Sequence, residues 1–154
     1  MIPALRARFN REWTPERHEA LLAEMRRRTG VPPGFTVSET PCFFPAALLD
    51  EMAATGASLV ASFLANPEAR AAAEALIPPR YLGPSQESRP TCVQVDFGLV
   101  REPDGRLAPR LVELQAFPSL YAFQHTLATV HREIHALPPS CQAHLGGLDD
   151  AGYL

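Results

Sequence analysis

The stretch Val93-Gln94-Val95-Asp96-Phe97-Gly98-Leu99-Val100-Arg101-Glu102-Pro103-Asp104-Gly105-Arg106-Leu107-Ala108-Pro109-Arg110-Leu111-Val112-Glu113-Leu114-Gln115-Ala116-Phe117-Pro118-Ser119 decides the fold. In its first part Val93, Val95, Phe97 and Leu99 alternate with Gln94, Asp96 and Gly98, the period of a half-buried strand. Glu102-Pro103-Asp104-Gly105 is a turn, with proline at the second position and glycine at the fourth. A second strand runs from about Leu107 to Phe117, where Val112, Leu114 and Ala116 alternate with Glu113 and Gln115. The sequence predicts one β-hairpin over about 93–117, with Val112, Leu114 and Ala116 facing a core.

Outward from the hairpin the period becomes helical. On its C-terminal side Pro118-Ser119 closes the ribbon and Ser119 is placed to cap a helix. That helix carries Leu120, Phe123, Leu127, Val130, Ile134 and Leu137, the strongest amphipathic stripe in the chain. On the N-terminal side Thr14-Pro15-Glu16 reads as a helix start and Gly30 with Pro32-Pro33 as its end. Phe35 to Phe44 reads as an extended segment interrupted by Pro41. A helix after Pro45 has the stripe Leu49, Met52, Gly56, Leu59 or Val60, and Phe63, and Asn66-Pro67 restarts an alanine-rich helix to about Ile77. Pro78 to Thr91 is a loop by composition. The order is helices, hairpin, helix, an α+β chain. It divides into a helical region 1–91, with loop 78–91, and a hairpin-plus-helix segment 92–154. Leu148 to Leu154 reads as a new element that starts and stops, and a lone two-stranded hairpin is marginal. Both point to the remainder of a longer parent chain as a partner.

Composition narrows the function classes. The 154 residues suit one domain at most, and 46% hydrophobic with 20% charged residues is a globular balance. A formal charge of −3 gives no general attraction to nucleic acid. Arg26, Arg27 and Arg28 form the one basic run and suit a helix C-terminus. The first residues do not form a secretory signal, and no uninterrupted apolar run of membrane-spanning length is present, so no membrane is expected. Cys42, Cys92 and Cys141 lack a CxxC spacing and read as reduced, cytoplasmic thiols, Cys42 and Cys92 as buried or inert ones. All 14 basic residues are arginine. Without lysine the chain holds no Schiff-base or phosphate-gripping ammonium group.

Asp96, Glu113 and Gln115 are the candidate metal ligands. Glu113 and Gln115 share a strand face, and two carboxylates with an amide oxygen suit Mg²⁺ shared with phosphates. If the turn pairs Glu102 with Arg106, Asp96 falls opposite Val112, on the other face. One extra residue in the second strand puts it opposite Glu113, and Ala108-Pro109 is the expected site of such a bulge. The competing reading is a solvated polar strand face. His131 and His135, four apart on a helix, are a second candidate pair, with His125, Cys141 or His144 as further ligands. The other reading of that pair is an exposed helix flank.

The run from Val93 to Ser119 resembles the hairpin of ATP-grasp ligases. That family's pattern is an Asp followed by an apolar residue, a DG-containing turn, a Glu-x-Asn strand and a Pro-Gly or Pro-Ser corner. The hairpin's early place is similar to the circularly permuted, glutathionylspermidine synthase-like branch. Gln115 stands for the family's Asn, and Gln94 occurs where an arginine is often found. The resemblance implies a partial ATP-grasp-like domain in which Asp96, Glu113 and Gln115 hold Mg²⁺ against ATP. It further implies the N-terminal part of a carboxylate–amine ligase that acts through an acyl phosphate on small-molecule carboxylate and amine substrates. A degenerate, non-catalytic binding module is the alternative.

Overall fold

A computed structural model describes residues 1–83, 90, 92–116 and 120–153. It contains N-terminal helices, a two-stranded antiparallel hairpin and a following helix, the α+β order read from the sequence. The helices are α1 (Pro3–Glu12), α2 (Pro15–Thr29), α3 (Ala46–Ala65), α4 (Pro67–Glu74), α5 (Tyr121–Ile134) and α6 (Asp150–Tyr153). The strands are β1 (Gln94–Arg101) and β2 (Leu107–Gln115). Phe117, Pro118 and Ser119, with the cap expected at Ser119, lie outside the described residues, as does most of the loop 84–91. By packing, the chain falls into two units, Met1–Asp50 with Leu120–Leu154, and Glu51–Ser119.

In the first unit, α2 begins as its sequence dictates. The Thr14 hydroxyl accepts from the Arg17 amide at 3.3 Å, Pro15 takes the first helical position, and Gly30 ends the helix at φ 77°. Leu21 and Met25 of α2, Val130 of α5 and Val37 of the intervening segment form the buried core. Phe123, Leu127 and Ile134 pack around them, so the middle of the stripe read from the sequence faces inward, whereas Leu120, expected at its start, precedes the helix and is 50% exposed. Each such side chain contributes about 1.5–3 kcal/mol on burial. Arg27 and Arg28 both pair with Glu24, and Arg28 reaches Glu133 on α5. The basic run therefore helps tie α2 to α5.

Helix α1 is absent from the sequence expectation. Its signals are slight: Pro3 at the first position, no side-chain cap, and Phe9 as its one buried residue. Phe9 lies 6.0 Å from Phe43 and 4.6 Å from His135, ring centre to ring centre. A single aromatic anchor produces no stripe, so periodicity overlooks it.

The end of α5 is set by a residue usually unsuited to the task. Ala136 has φ 46°. Its amide donates to the Glu133 carbonyl at 3.4 Å, and the Leu137 amide donates to that of Arg132 at 3.0 Å. This is the paired closure in which glycine normally occupies the left-handed position. The helix stops at Ile134, so Leu137 falls beyond it.

In the second unit, Gly56 of α3 is buried against Val95 of β1. Glycine here lets the helix backbone approach the strand. α3 is twenty residues long with a window of mean hydropathy 1.3, of which 6% is buried. By length and composition it meets the requirement for crossing a membrane, although Asp50 and Glu51 interrupt its apolar run near the start.

Candidate metal centre

The hairpin is built from its turn. The Gly105 amide donates to the Glu102 carbonyl at 2.8 Å, and the Glu102 amide donates to the Arg106 carbonyl at 2.9 Å. Gly105 takes φ 85°, the left-handed residue of a three-residue connection. From there Arg101 faces Leu107, Val100 faces Ala108, Leu99 faces Pro109, Gly98 faces Arg110 and Phe97 faces Leu111. Hydrogen-bonded and non-hydrogen-bonded pairs alternate along such a ladder. Starting from Glu102 and Arg106, Pro109 falls in a non-hydrogen-bonded pair, where its missing N–H disturbs nothing. No bulge forms at Ala108-Pro109.

The register instead shifts between Phe97 and Asp96. Val112 is the extra residue, and Asp96 pairs with Glu113, Val95 with Leu114, and Gln94 with Gln115. Residues directly opposite each other share a face. Gln94, Asp96, Glu113 and Gln115 therefore lie on one face, opposite the face on which Val95 meets Gly56.

Two expectations are corrected by this arrangement. The bulge sits at Val112 rather than at Ala108-Pro109. Val112 and Ala116 do not face a core, being exposed, and Leu114, opposite Val95 on the face that meets α3, is still 36% exposed. The bulge carries Val112 over Gly98, where an added Cβ would lie 3.6 Å from Val112 Cγ2.

Around the oxygen face, Gln94 Nε2 donates to Asp96 Oδ1 at 3.0 Å. Gln94 Oε1 is buried and has no hydrogen-bond partner among the described residues. An orphaned amide oxygen beside two carboxylates and a second amide fits a hard cation, which takes oxygen donors. In the sequence Gln94 marks only a departure from a family pattern, with no signal that sets it among the ligands.

A second cluster occurs in the first unit. His125 of α5, His144 of the following loop and Asp150 at the start of α6 each offer one donor atom, all within 4.8 Å of one another. His125 Nδ1 is 3.1 Å from His144 Nε2, which is 3.2 Å from Asp150 Oδ1. The Arg132 guanidinium donates to both Asp150 oxygens, at 3.1 and 3.2 Å. The Asp150 carboxyl lies below its ordinary value: burial opposes this, and the charge of Arg132 with hydrogen bonds from His144 and Arg132 outweighs burial. His125 and His144 were named in the sequence as secondary ligands; Asp150 was missed. The three come together through a loop, which leaves no periodic signal.

His131 and His135 are neither an exposed flank nor part of this cluster. Both are buried, at 7% and 5% exposure, and their rings stack 5.5 Å apart. Burial, then the neighbouring His135 and His18, lower His131 to about 4. Burial, then Arg17 and His18, lower His135. Cys42 is exposed, and all three cysteines are free.

Comparison with known protein families, curated proteins and solved structures finds no match.

Proposed function

We propose that the hairpin is the Mg²⁺-holding segment of an ATP-dependent carboxylate–amine ligase, a partial ATP-grasp-like domain completed by the remainder of a longer cytoplasmic parent chain. Its substrates are a small-molecule carboxylate and an amine, joined through an acyl phosphate. The single observation that carries this reading is the register shift that sets Asp96 across from Glu113, with Gln94 and Gln115 beside them.

On this reading Asp96, Glu113 and Gln115 hold the metal. When bound, Mg²⁺ neutralises charge on the phosphates. The chain's own contribution is orientation. The bulge fixes the parity that brings the carboxylates together, and the Gln94 amide group holds the Asp96 carboxylate in place. That same hydrogen bond favours a second reading. It satisfies one Asp96 oxygen without any cation, as a degenerate, non-catalytic binding module would require.

Glu113→Gln in the full-length protein separates the two. It removes one charge from the metal shell with little change of shape. The expected result is a loss of Mg²⁺-dependent ATP turnover on the order of 10²-fold, about 3 kcal/mol. Glu113 is exposed, so melting should move within about ±0.5 kcal/mol of wild type. Glu102→Gln at the turn is the control and should leave turnover intact. Wild-type turnover by Glu113→Gln would remove Glu113 from the metal shell, and absence of ATP turnover in the unaltered full-length protein would make the non-catalytic module the better reading.

A further inference from the structure

The geometry points to His125, His144 and Asp150 as a binding site for a borderline divalent cation of the Zn²⁺ class, independent of the hairpin and of any ligase activity. Donors about 2.0–2.1 Å from a tetrahedral ion stand roughly 3.3 Å from one another. The separations here are 3.1 Å (His125 Nδ1 to His144 Nε2), 3.2 Å (His144 Nε2 to Asp150 Oδ1) and 4.0 Å (His125 Nδ1 to Asp150 Oδ1). Donor chemistry agrees, since two imidazoles and one carboxylate suit Zn²⁺ and are poor company for Mg²⁺.

Proton bookkeeping supports the same assignment. His144 Nε2 faces an imidazole nitrogen on one side and a carboxylate oxygen on the other. A neutral ring carries at most one proton there, so it cannot direct a full hydrogen bond to both. One cation among the three atoms satisfies all three lone pairs together.

The surroundings fix the donors. The side chains of His125 and His144 are 13% and 7% exposed. The Tyr153 ring stacks on His144 at 4.3 Å, and its hydroxyl donates to the Tyr121 carbonyl at 3.3 Å. Arg132 donates to both Asp150 oxygens and so orients the carboxylate, as outer partners of metal-bound carboxylates do. An open cleft of about 300 Å³ borders His125, His144 and Tyr153. Three protein ligands leave a fourth tetrahedral position, which water or a small anion entering by that cleft would fill.

The test is a Zn²⁺ titration of the 154-residue chain by calorimetry, after chelator treatment and at neutral pH. One saturable ion per chain is expected. In His144→Gln and Asp150→Asn the affinity should fall at least about tenfold, whereas Glu102→Gln and Cys141→Ser should bind like wild type. Because His144 is enclosed and its variant can lose structure, a second measurement uses the unaltered chain. Imidazole ¹⁵N spectra should shift at His125 and His144 on adding Zn²⁺, with His131 and His135 unmoved. Absence of one-to-one binding, unchanged affinity in both variants, shifts confined to other histidines, or an intense thiolate band with Co²⁺ would each overturn the assignment.

Discussion

Gly56 is packed so closely on Val95 that a Cβ added to it would stand 3.3 Å from Val95 Cγ2 and 3.4 Å from Val95 Cβ. The terminal methyl can turn away, but the Cβ moves only with the strand. Helix propensity favours alanine over glycine by about 1 kcal/mol, while crowding of this kind costs roughly 1–3 kcal/mol. Gly56→Ala should therefore destabilise by about 1 kcal/mol. In a Val95→Ala background the same change should stabilise. Urea unfolding of the four proteins gives the coupling, expected at about 1–2 kcal/mol. Additivity would show that the two residues do not meet.

Deleting Val112 should be tolerated. Without the extra residue the regular pairing that begins at the turn carries on and still sets Asp96 opposite Glu113 and Gln94 opposite Gln115. Deleting Leu114 instead moves Gln115 opposite Val95, onto the face that meets α3. Cross-strand proton contacts between residues 96 and 113 should survive the first deletion, with a melting temperature near wild type. The second deletion should abolish the Gln94–Gln115 pair and lower the melting temperature.

Ala136→Gly should stabilise the chain. An L-residue in the left-handed region costs roughly 1–2 kcal/mol, and Ala136 sits there at φ 46°. Glycine's greater freedom when unfolded offsets part of the gain. A net increase of about 0.5–1 kcal/mol in denaturant unfolding is expected, while Ala136→Val should lose stability.

Acid should weaken the first unit well above the carboxylate range. Unfolded histidine titrates near 6.5, whereas His131 in the fold is held at about 4. Above about pH 6.5 both states are neutral and the contribution is complete. As pH falls from about 6.5 towards 4, the unfolded chain takes up a proton that the fold refuses, so stability drops. His135, lowered as well, acts in the same direction. The loss from His131 is on the order of 2 kcal/mol. Melting curves between pH 7.5 and 4.5 should show it, and His131→Leu should flatten the slope. His131 Nδ1 has no hydrogen-bond partner among the described residues, so leucine leaves no bond broken there.

The 154-residue chain by itself should not bind ATP tightly. It has no lysine to grip a phosphate, and the oxygen face repels anions unless a cation is present. Micromolar affinity for Mg²⁺-ATP in calorimetry would contradict the reading of the hairpin as one part of a larger site.

The elements that the sequence announces clearly are those with a sustained period or a cap. Phe123, Leu127, Val130 and Ile134 repeat at helical spacing and all pack in or against the core. Thr14 and Gly30 bound α2 as their chemistry requires. The oxygen face was legible only up to the parity of Asp96. That parity depends on one residue, Val112, whose displacement has no compositional mark; proline at 109 drew attention to the wrong pair. α1 hangs on the single anchor Phe9, and Asp150 joins its histidines through a loop. Contacts made by tertiary closure, rather than by period, are the ones a linear reading passes over.

Pro109 also gives the hairpin a preferred side for growth. In its non-hydrogen-bonded pair the backbone nitrogen of Pro109 points away from β1, towards the outer rim of β2. A strand arriving there meets a missing donor midway along. The outer rim of β1 runs from Gln94 to Arg101 without a proline, and among the described residues no third strand occupies it. Sheet extension, whether by further chain or by an unwanted second molecule, is therefore steered to the β1 rim, and a single imino acid acts as the guard on the other.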